Sequence, residues 1–199
     1  PKGARVIRTM QEWLRRDLYE RGSEEVIPPH VYNADVWKTS GHYGFYKENM
    51  YFFNINEGTD EDPRLTEYAV KPMNCPGHVM LYKSELHSYR DLPLRYFEFG
   101  TVYRHEMSGV VHGLLRARGF TQDDGHIFCT EDHILAECEA FTALVQKVYK
   151  TFGFTDIAYK VATRPAMRIG EDAVWDKAEH ALMASLDALG IKYEVLVGE

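Results

Sequence analysis

Hydrophobic residues recur at steps of three and four residues in several segments, which is the pattern of a helix with one buried face. In the first segment the repeat runs through Val6, Met10, Leu14 and Leu18. Gly22 follows and predicts the end of that helix. We predict helices over Gly3–Glu20, Pro76–Tyr89, Ile134–Phe152 and Ala173–Leu189.

Shorter apolar runs bounded by turn residues predict strands between these helices. The acidic stretch Asn56–Thr66 is rich in turn-forming residues and predicts a loop. Strands are predicted at Glu24–Ile27, Met50–Ile55, Glu67–Val70, Leu94–Glu106, Arg118–Phe128, Asp156–Ala162 and Lys192–Val197. The sequence has no repeat, low-complexity tract or domain linker, so we predict a single α+β domain with helices flanking an antiparallel sheet.

Polar side chains are concentrated on one face of the predicted central hairpin. Side chains alternate between the two faces of a strand, so Arg104 and Glu106 share a face. On the next strand the residues of one face are Arg118, Phe120, Gln122, Asp124, His126 and Phe128. This mixture of charged, amide, imidazole and aromatic groups favours a surface that binds a charged, planar ligand. The alternative is a solvated face with incidental charges.

Bulk composition narrows the class of protein only moderately. The 199 residues are 45% hydrophobic and 27% charged, as in ordinary globular proteins, with no membrane-length apolar run and no signal-peptide pattern. An odd number of cysteines, 3, fits a reducing compartment, and we expect the cytoplasm or an organelle. The net charge of −7 argues against a general nucleic-acid coat, and DNA is not an expected partner. A local basic patch remains, formed by Arg104, His105, His112, Arg116 and Arg118.

Several long motifs resemble one family. Tyr103–Glu106, a loop rich in Ser, Gly and Arg, and Arg116–Asp124 resemble the second signature motif of class II aminoacyl-tRNA synthetases. Together with Lys71–His78 and Gly125–Cys129, they resemble the threonyl-tRNA synthetase family in particular. The resemblance extends over essentially the whole chain, to Glu199. It implies the class II catalytic fold and an ATP-dependent ligase that activates threonine and transfers it to the 3′ end of tRNA(Thr).

The resemblance also assigns the groups that would handle ATP. Arg104 matches the arginine that contacts the α-phosphate, and Glu106 matches the acceptor for the adenine amino group. Phe120 matches the ring on which adenine stacks, and Arg116 the loop arginine that reaches the phosphates, with Mg²⁺ accompanying ATP. No general base is required, because the carboxylate of the amino acid is already ionised.

Further matches concern threonine and the tRNA. Gln122 corresponds to a polar contact to the adenylate, and Met73 to a wall of the amino-acid pocket. Asp124 corresponds to the carboxylate that accepts the hydroxyl proton of threonine. His42 matches a histidine near the terminal adenosine of the tRNA.

Cys75 and His126 form a candidate metal pair. A lone Cys and a distant His are weak grounds for a metal site, because structural zinc sites usually show closely spaced pairs. In the resembled family, however, these positions bind zinc together with a later histidine, one ion per subunit. The amino and hydroxyl groups of threonine complete the shell there, which would exclude valine better than an apolar pocket could.

The resemblance has consequences for assembly and completeness. Gly3–Pro29 matches the first class II motif, which builds a homodimer interface, although a surface helix and an edge strand would give the same local pattern. The third motif, the third zinc ligand, and the editing and anticodon-binding domains have no counterpart in 1–199. We therefore expect a partial catalytic domain, truncated at its C-terminus and inactive alone. A non-catalytic nucleotide- or RNA-binding module remains the alternative; a seryl- or prolyl-type relative is disfavoured, because it gives Cys75 and His126 no role.

Overall fold

The fold was determined as a computed structural model that describes residues 1–198, so Glu199 lies outside the described part. The helices are α1 (Lys2–Glu20), α2 (Ala34–Thr39), α3 (His42–Phe45), α4 (Cys75–Lys83), α5 (Ile134–Thr151) and α6 (Asp172–Ala188). The strands are β1 (Glu24–Glu25), β2 (Val31–Asn33), β3 (Phe52–Asn56), β4 (Leu65–Val70), β5 (Leu94–Tyr103), β6 (Gly119–Phe128), β7 (Tyr159–Ala162) and β8 (Tyr193–Leu196). No helix within residues 1–198 is long and apolar enough to cross a membrane.

The strands form small sheets of mixed direction. In the first, β5 lies between β1 and β6, with β1 parallel to β5. The hydroxyl of Thr101 on β5 contacts that of Thr121 on β6, and Tyr103, further along β5, lies against Gly119, earlier on β6. Strand β6 therefore runs antiparallel to β5. In the second sheet β4 pairs antiparallel with both β2 and β3. The third sheet pairs β7 with β8 in parallel. The α+β class and the antiparallel centre are as predicted, while the parallel pairs were not expected.

The chain divides into two compact units, residues 1–127 and 128–199. In the first unit a hydrophobic cluster lies around Trp37, which is fully buried with Tyr32, Met50 and Ala69. In the second unit α5 packs against α6. The helical repeat over Ile134–Phe152 predicts an apolar stripe with Cys138 and Phe141 in the core, but within the described residues Phe141 is 60% exposed and Cys138 is half-buried.

Element ends follow from local geometry. α1 ends at Glu20 because Gly22 adopts φ +76°, and the N–H of Ser23 donates to the Leu18 carbonyl at 3.0 Å. Asn33 caps α2 by accepting a hydrogen bond from the Asp35 N–H at 2.9 Å. α4 begins around Pro76, as predicted, because a proline in the first turn has no N–H to leave unpaired.

Several predicted elements are too long. The strand predicted at Glu24–Ile27 is confined to β1, the helix predicted to run to Tyr89 stops at Lys83, and the strand predicted from Asp156 begins at Tyr159. The loop between β3 and β4 is shorter than the predicted Asn56–Thr66, because Asn56 at the end of β3 already pairs with Leu65 at the start of β4. Strand pairing and helix capping, which depend on partners elsewhere, therefore set these bounds rather than the apolar pattern.

Candidate active site

Strand β6 carries the polar face that the sequence predicts. Its burial alternates along the strand, so the period of two holds throughout. The half-buried side chains include Phe120, Gln122, Asp124 and His126. Partial burial of four such side chains on one face is unlike a freely solvated strand. These four residues belong to the unit of residues 1–127, as do the other candidate site residues.

Arg104 and Glu106 lie just beyond the end of β5. The strand ends at Tyr103, although the Arg104 N–H still donates to the Arg118 carbonyl at 2.8 Å. The Glu106 N–H then donates to the Arg104 carbonyl at 2.9 Å, which closes a tight turn. The prediction that both residues lie on one strand is therefore wrong, because the backbone leaves the ladder between them.

The Arg104 guanidinium is fixed by two aromatic rings and a carbonyl. Its central carbon lies 5.1 Å from the centroid of the Phe120 ring and 5.9 Å from that of Tyr46. Its Nε donates to the Pro72 carbonyl at 3.1 Å. Cation–π contacts of this kind orient a guanidinium without neutralising it. The positive charge is thereby held beside Phe120, as a site for a planar anion requires.

Glu106 and Arg116 are paired with each other. Glu106 is only 7% exposed, and its Oε2 accepts a hydrogen bond from the Arg116 Nε at 3.1 Å and forms an ion pair with Nη2 at 3.0 Å. Arg118 supports the same turn by donating from Nε to the Glu106 carbonyl at 2.9 Å. The Arg116 side chain is 57% exposed whereas Glu106 is buried, so the pair joins a surface arginine to a buried carboxylate.

Cys75 and His126 carry the kinds of donor atom that a zinc site uses, but two ligands are fewer than such a site needs. Thiolate and imidazole are donors that zinc prefers. Desolvation, and then the Asp124 carboxylate, raise the pKa of the Cys75 thiol, although the residue as a whole is exposed, and burial lowers the pKa of His126. Within residues 1–198 no group of three His, Cys, Asp or Glu side chains could hold a metal. The two donors thus fit zinc in kind, with a further ligand required.

Asn74 positions Asp124 from the residue before α4. Its Nδ2 donates to Asp124 Oδ2 at 2.9 Å, and the Asn74 side chain is buried. A Cβ at Gly100 would lie 2.5 Å from Asn74 Oδ1, so only glycine leaves room for this amide against β5. The threonine-hydroxyl acceptor predicted at Asp124 is thereby held by a partner that the sequence analysis did not identify.

A buried polar chain leads to His126 and was also missed. Lys71 Nζ donates to Glu98 Oε2 at 2.9 Å, and His78 Nε2 lies 3.1 Å from Glu98 Oε1. The Nδ1 atoms of His78 and His126 are 3.0 Å apart. The sequence does contain a signal, since Glu98 interrupts an apolar run between Phe97 and Phe99. A charged residue within a buried strand requires a partner.

The remaining candidates lie on shorter elements of the same unit. His42 begins α3, where its Nδ1 is 2.8 Å from the Ser40 hydroxyl and burial lowers its pKa. The carbonyl of His42 accepts the N–H of Tyr46 at 2.8 Å, so α3 links it to a ring that contacts Arg104. Met73 is half-buried between β4 and α4. Nothing in these contacts tests the roles predicted for His42 and Met73.

The fold and the arrangement of this site define a class of protein. Residues 53–188 match the sequence profile of the tRNA synthetase class II core domain (G, H, P, S and T). The chain belongs to this family, and the predicted class II catalytic fold is confirmed.

Within the family, the similarity is to enzymes specific for threonine. The threonine–tRNA ligases of Herminiimonas arsenicoxydans and Methylibium petroleiphilum are each 55% identical over all 199 residues. The chain spans 30% of the length of these relatives. A crystal structure described as the RNA binding domain of threonyl-tRNA synthetase from Cryptosporidium parvum superimposes with a TM-score of 0.89 at 39% identity, covering 99% of this chain and 47% of that one. The resemblance predicted from the motifs is thus confirmed.

Proposed function

We propose that the protein containing this chain is an ATP-dependent threonine–tRNA ligase. The observation that carries the proposal is the face of β6, where Phe120, Gln122, Asp124 and His126 follow one another with the Arg104 charge at one end. Such a face offers an aromatic surface and a cation for a nucleotide beside polar groups for a small amino acid. Similarity of all 199 residues to a part of threonine–tRNA ligases supports the same assignment.

The first reaction would join threonine to AMP. A carboxylate oxygen of threonine forms a bond to the α-phosphorus of ATP, and pyrophosphate leaves with its Mg²⁺. Negative charge grows on the phosphoryl oxygens, and the guanidinium of Arg104, held by Phe120 and the Pro72 carbonyl, stabilises that charge. No residue needs to remove a proton from the nucleophile.

ATP would be recognised beside this charge. Phe120 offers its ring for stacking, and Glu106 offers a buried carboxylate oxygen to the adenine amino group. Because Arg116 holds that oxygen in the free protein, ATP must displace it, and the released guanidinium can follow the phosphates. The exchange keeps the number of charge-assisted contacts nearly constant, which limits its free-energy cost.

Threonine would be recognised at the other end of the face. Cys75 and His126, with a ligand from elsewhere in the protein, would hold a zinc ion, whose chemistry is to bind the amino and hydroxyl groups as a Lewis acid. Asp124, fixed by Asn74, is available to accept the hydroxyl proton, and Gln122 to contact the adenylate. Met73 would close the apolar side. Valine has no hydroxyl, so it would leave these polar groups unpaired.

The second reaction would transfer threonine to tRNA(Thr). The terminal ribose hydroxyl attacks the adenylate carbonyl, and AMP leaves. His42 is proposed to lie near the terminal adenosine. We further propose a homodimer formed through α1 and β1, and a cytoplasmic location consistent with free cysteines.

Charging of tRNA tests this function directly. With ATP and labelled threonine, the protein at its natural length should attach threonine to tRNA(Thr) and not to tRNA of other specificity. Binding of ATP or RNA without charging, at any protein concentration, would instead support a non-catalytic module.

A further inference from the structure

The buried chain behind His126 has a defined direction of hydrogen bonding. Lys71, Glu98 and His78 are 1%, 4% and 0% exposed, so water does not compete for their polar atoms. They connect in the order Lys71, Glu98, His78 and His126, with distances of 2.9, 3.1 and 3.0 Å. Each of these three side-chain contacts is therefore within hydrogen-bond distance.

An ionised Glu98 determines which ring nitrogens carry protons. Burial would raise the pKa of the Glu98 carboxyl, but the hydrogen bonds from His78 and Lys71 outweigh burial and hold the pKa below its ordinary value. A carboxylate only accepts, so His78 Nε2 must donate. In a neutral ring Nδ1 of His78 is then an acceptor, and Nδ1 of His126 must donate to it. Nε2 of His126 is left with a free lone pair.

Both oxygens of Glu98 are engaged, because Oε2 accepts from Lys71 Nζ and Oε1 accepts from His78 Nε2. The His78 ring is thereby held with its Nδ1 toward His126. With its proton on Nε2, the His78 ring offers Nδ1 as an acceptor, whereas a proton on Nε2 of His126 would prevent that nitrogen from binding a metal.

We propose that His78, oriented by Glu98 and Lys71, is a positioning residue that fixes His126 as its Nδ1–H tautomer and so presents Nε2 as a metal ligand for threonine recognition. The inference rests on the proposed function. It assigns a purpose to a fully buried histidine in α4. Metal-binding histidines usually donate their second N–H to an oxygen, and here a second imidazole, backed by a carboxylate, takes that place.

Zinc affinity tests the proposal by substitution at His78. His78→Phe fills the space but removes the acceptor, whereas His78→Asn retains an oxygen near the position of Nδ1. Loss of such a partner typically lowers metal affinity by about 10–100-fold, so we expect that loss for His78→Phe and recovery of most of it for His78→Asn. His30→Phe, at an exposed histidine of the same unit, should bind zinc like the wild type.

Competition with a chelator measures these zinc affinities. In His78→Phe, the KM for threonine should rise and the KM for ATP should stay at its wild-type value. A merely structural role would affect Phe and Asn variants alike and would change both KM values. Wild-type zinc affinity in a folded His78→Phe variant would overturn the proposal while leaving threonine activation intact. Absence of threonine-dependent exchange in the wild type would overturn the proposed function instead.

A spectroscopic measurement needs no variant to fold. Long-range proton–nitrogen correlation on protein labelled in histidine distinguishes the two neutral tautomers. We expect the Nε2–H form for His78 and, before metal is added, the Nδ1–H form for His126. An Nε2–H tautomer at His126 would contradict the proposal.

Discussion

Substitution of Arg104 tests whether a single guanidinium stabilises the proposed reaction at phosphorus. Its guanidinium is held by the Phe120 and Tyr46 rings and by the Pro72 carbonyl, ready for charge that develops on phosphorus. Replacement by alanine should lower threonine-dependent pyrophosphate exchange by about two to three orders of magnitude, as for other preorganised charges. The unfolding free energy should fall by only about 1 kcal/mol, since one hydrogen bond is lost.

Arg90→Ala serves as the matched control, because within residues 1–198 the side chain of this exposed arginine hydrogen-bonds and stacks only with the neighbouring Tyr89. Exchange by that variant should equal the wild-type rate. A folded Arg104→Ala protein with normal exchange would remove Arg104 from the reaction.

Single residues also show how far sequence reasoning reaches. The shared face of Phe120, Gln122 and His126 follows from the period of two along one strand and needs no tertiary information. The partners of that face do not follow from it. The contact between His78 and His126 joins α4 to β6, and 48 residues separate the two in sequence. The motifs therefore indicate the candidate ligand His126 but not the buried residues that contact it.

At the scale of elements, the approach of α4 to β5 depends on Gly100. A methyl group there would lie 2.5 Å from Asn74 Oδ1 and force the amide away from Asp124. Gly100→Ala should destabilise the fold by about 1–3 kcal/mol, the usual cost of overpacking, and weaken threonine binding. Gly109→Ala, where nothing lies within 4 Å, should change stability by less than about 0.5 kcal/mol. Urea unfolding compares the two; equal stabilities would refute the close contact.

An ion pair joins α1 to β1. Arg15 donates from Nε and Nη2 to Glu25 at 2.6 and 2.8 Å, and this hydrogen bonding holds the pKa of Glu25 below its ordinary value of 4.5. A lowered folded-state pKa gives stability that is present above the unfolded pKa and is lost as the pH falls through the folded one. Glu25→Gln should therefore cost about 1 kcal/mol at pH 7 and progressively less below about pH 4.5.

Unfolding by urea at neutral and at acid pH measures this difference. Glu24→Gln, at the exposed neighbour, should show no comparable loss at either pH. A Glu25→Gln deficit that stays constant down to pH 3 would mean that the ion pair is not its cause.

Element types were easier to predict than element ends. Helical and strand periods are local properties, so α1, α5, α6 and the central hairpin were found from the pattern alone. The end of β5 was not, because the turn from Arg104 to Glu106 depends on a backbone hydrogen bond and on Arg118.

At the scale of the whole molecule, apolar groups of α1 and the segment after β1 remain uncovered. Val6 and Ile7 are each exposed by more than half, and Ile27 is 88% exposed. Burying such groups stabilises association by about 25 cal/mol per Å² before association costs, so we expect a homodimer built on this surface.

Light scattering should give twice the chain mass. Ile27→Asp should shift the protein toward monomer, and Leu86→Asp, at an equally exposed apolar residue outside α1 and β1, should not. A wild-type monomer would contradict the expectation.

Discrimination between threonine and valine is the most direct test of the central claim, that polar groups around Cys75, Asp124 and His126 recognise the hydroxyl of threonine. The measurement is pyrophosphate exchange with each amino acid, for the wild type and for Cys75→Ala. A site built to bind a hydroxyl rejects the analogue lacking it by roughly 10⁴-fold, whereas an apolar pocket manages about 10²-fold.

We predict the larger ratio of kcat/KM for the wild type, and loss of zinc together with threonine activation in Cys75→Ala while ATP still binds. Cys138→Ala should behave like the wild type. A wild-type ratio of about 10² or less, or undiminished threonine activation in a zinc-free Cys75→Ala protein, would contradict the account.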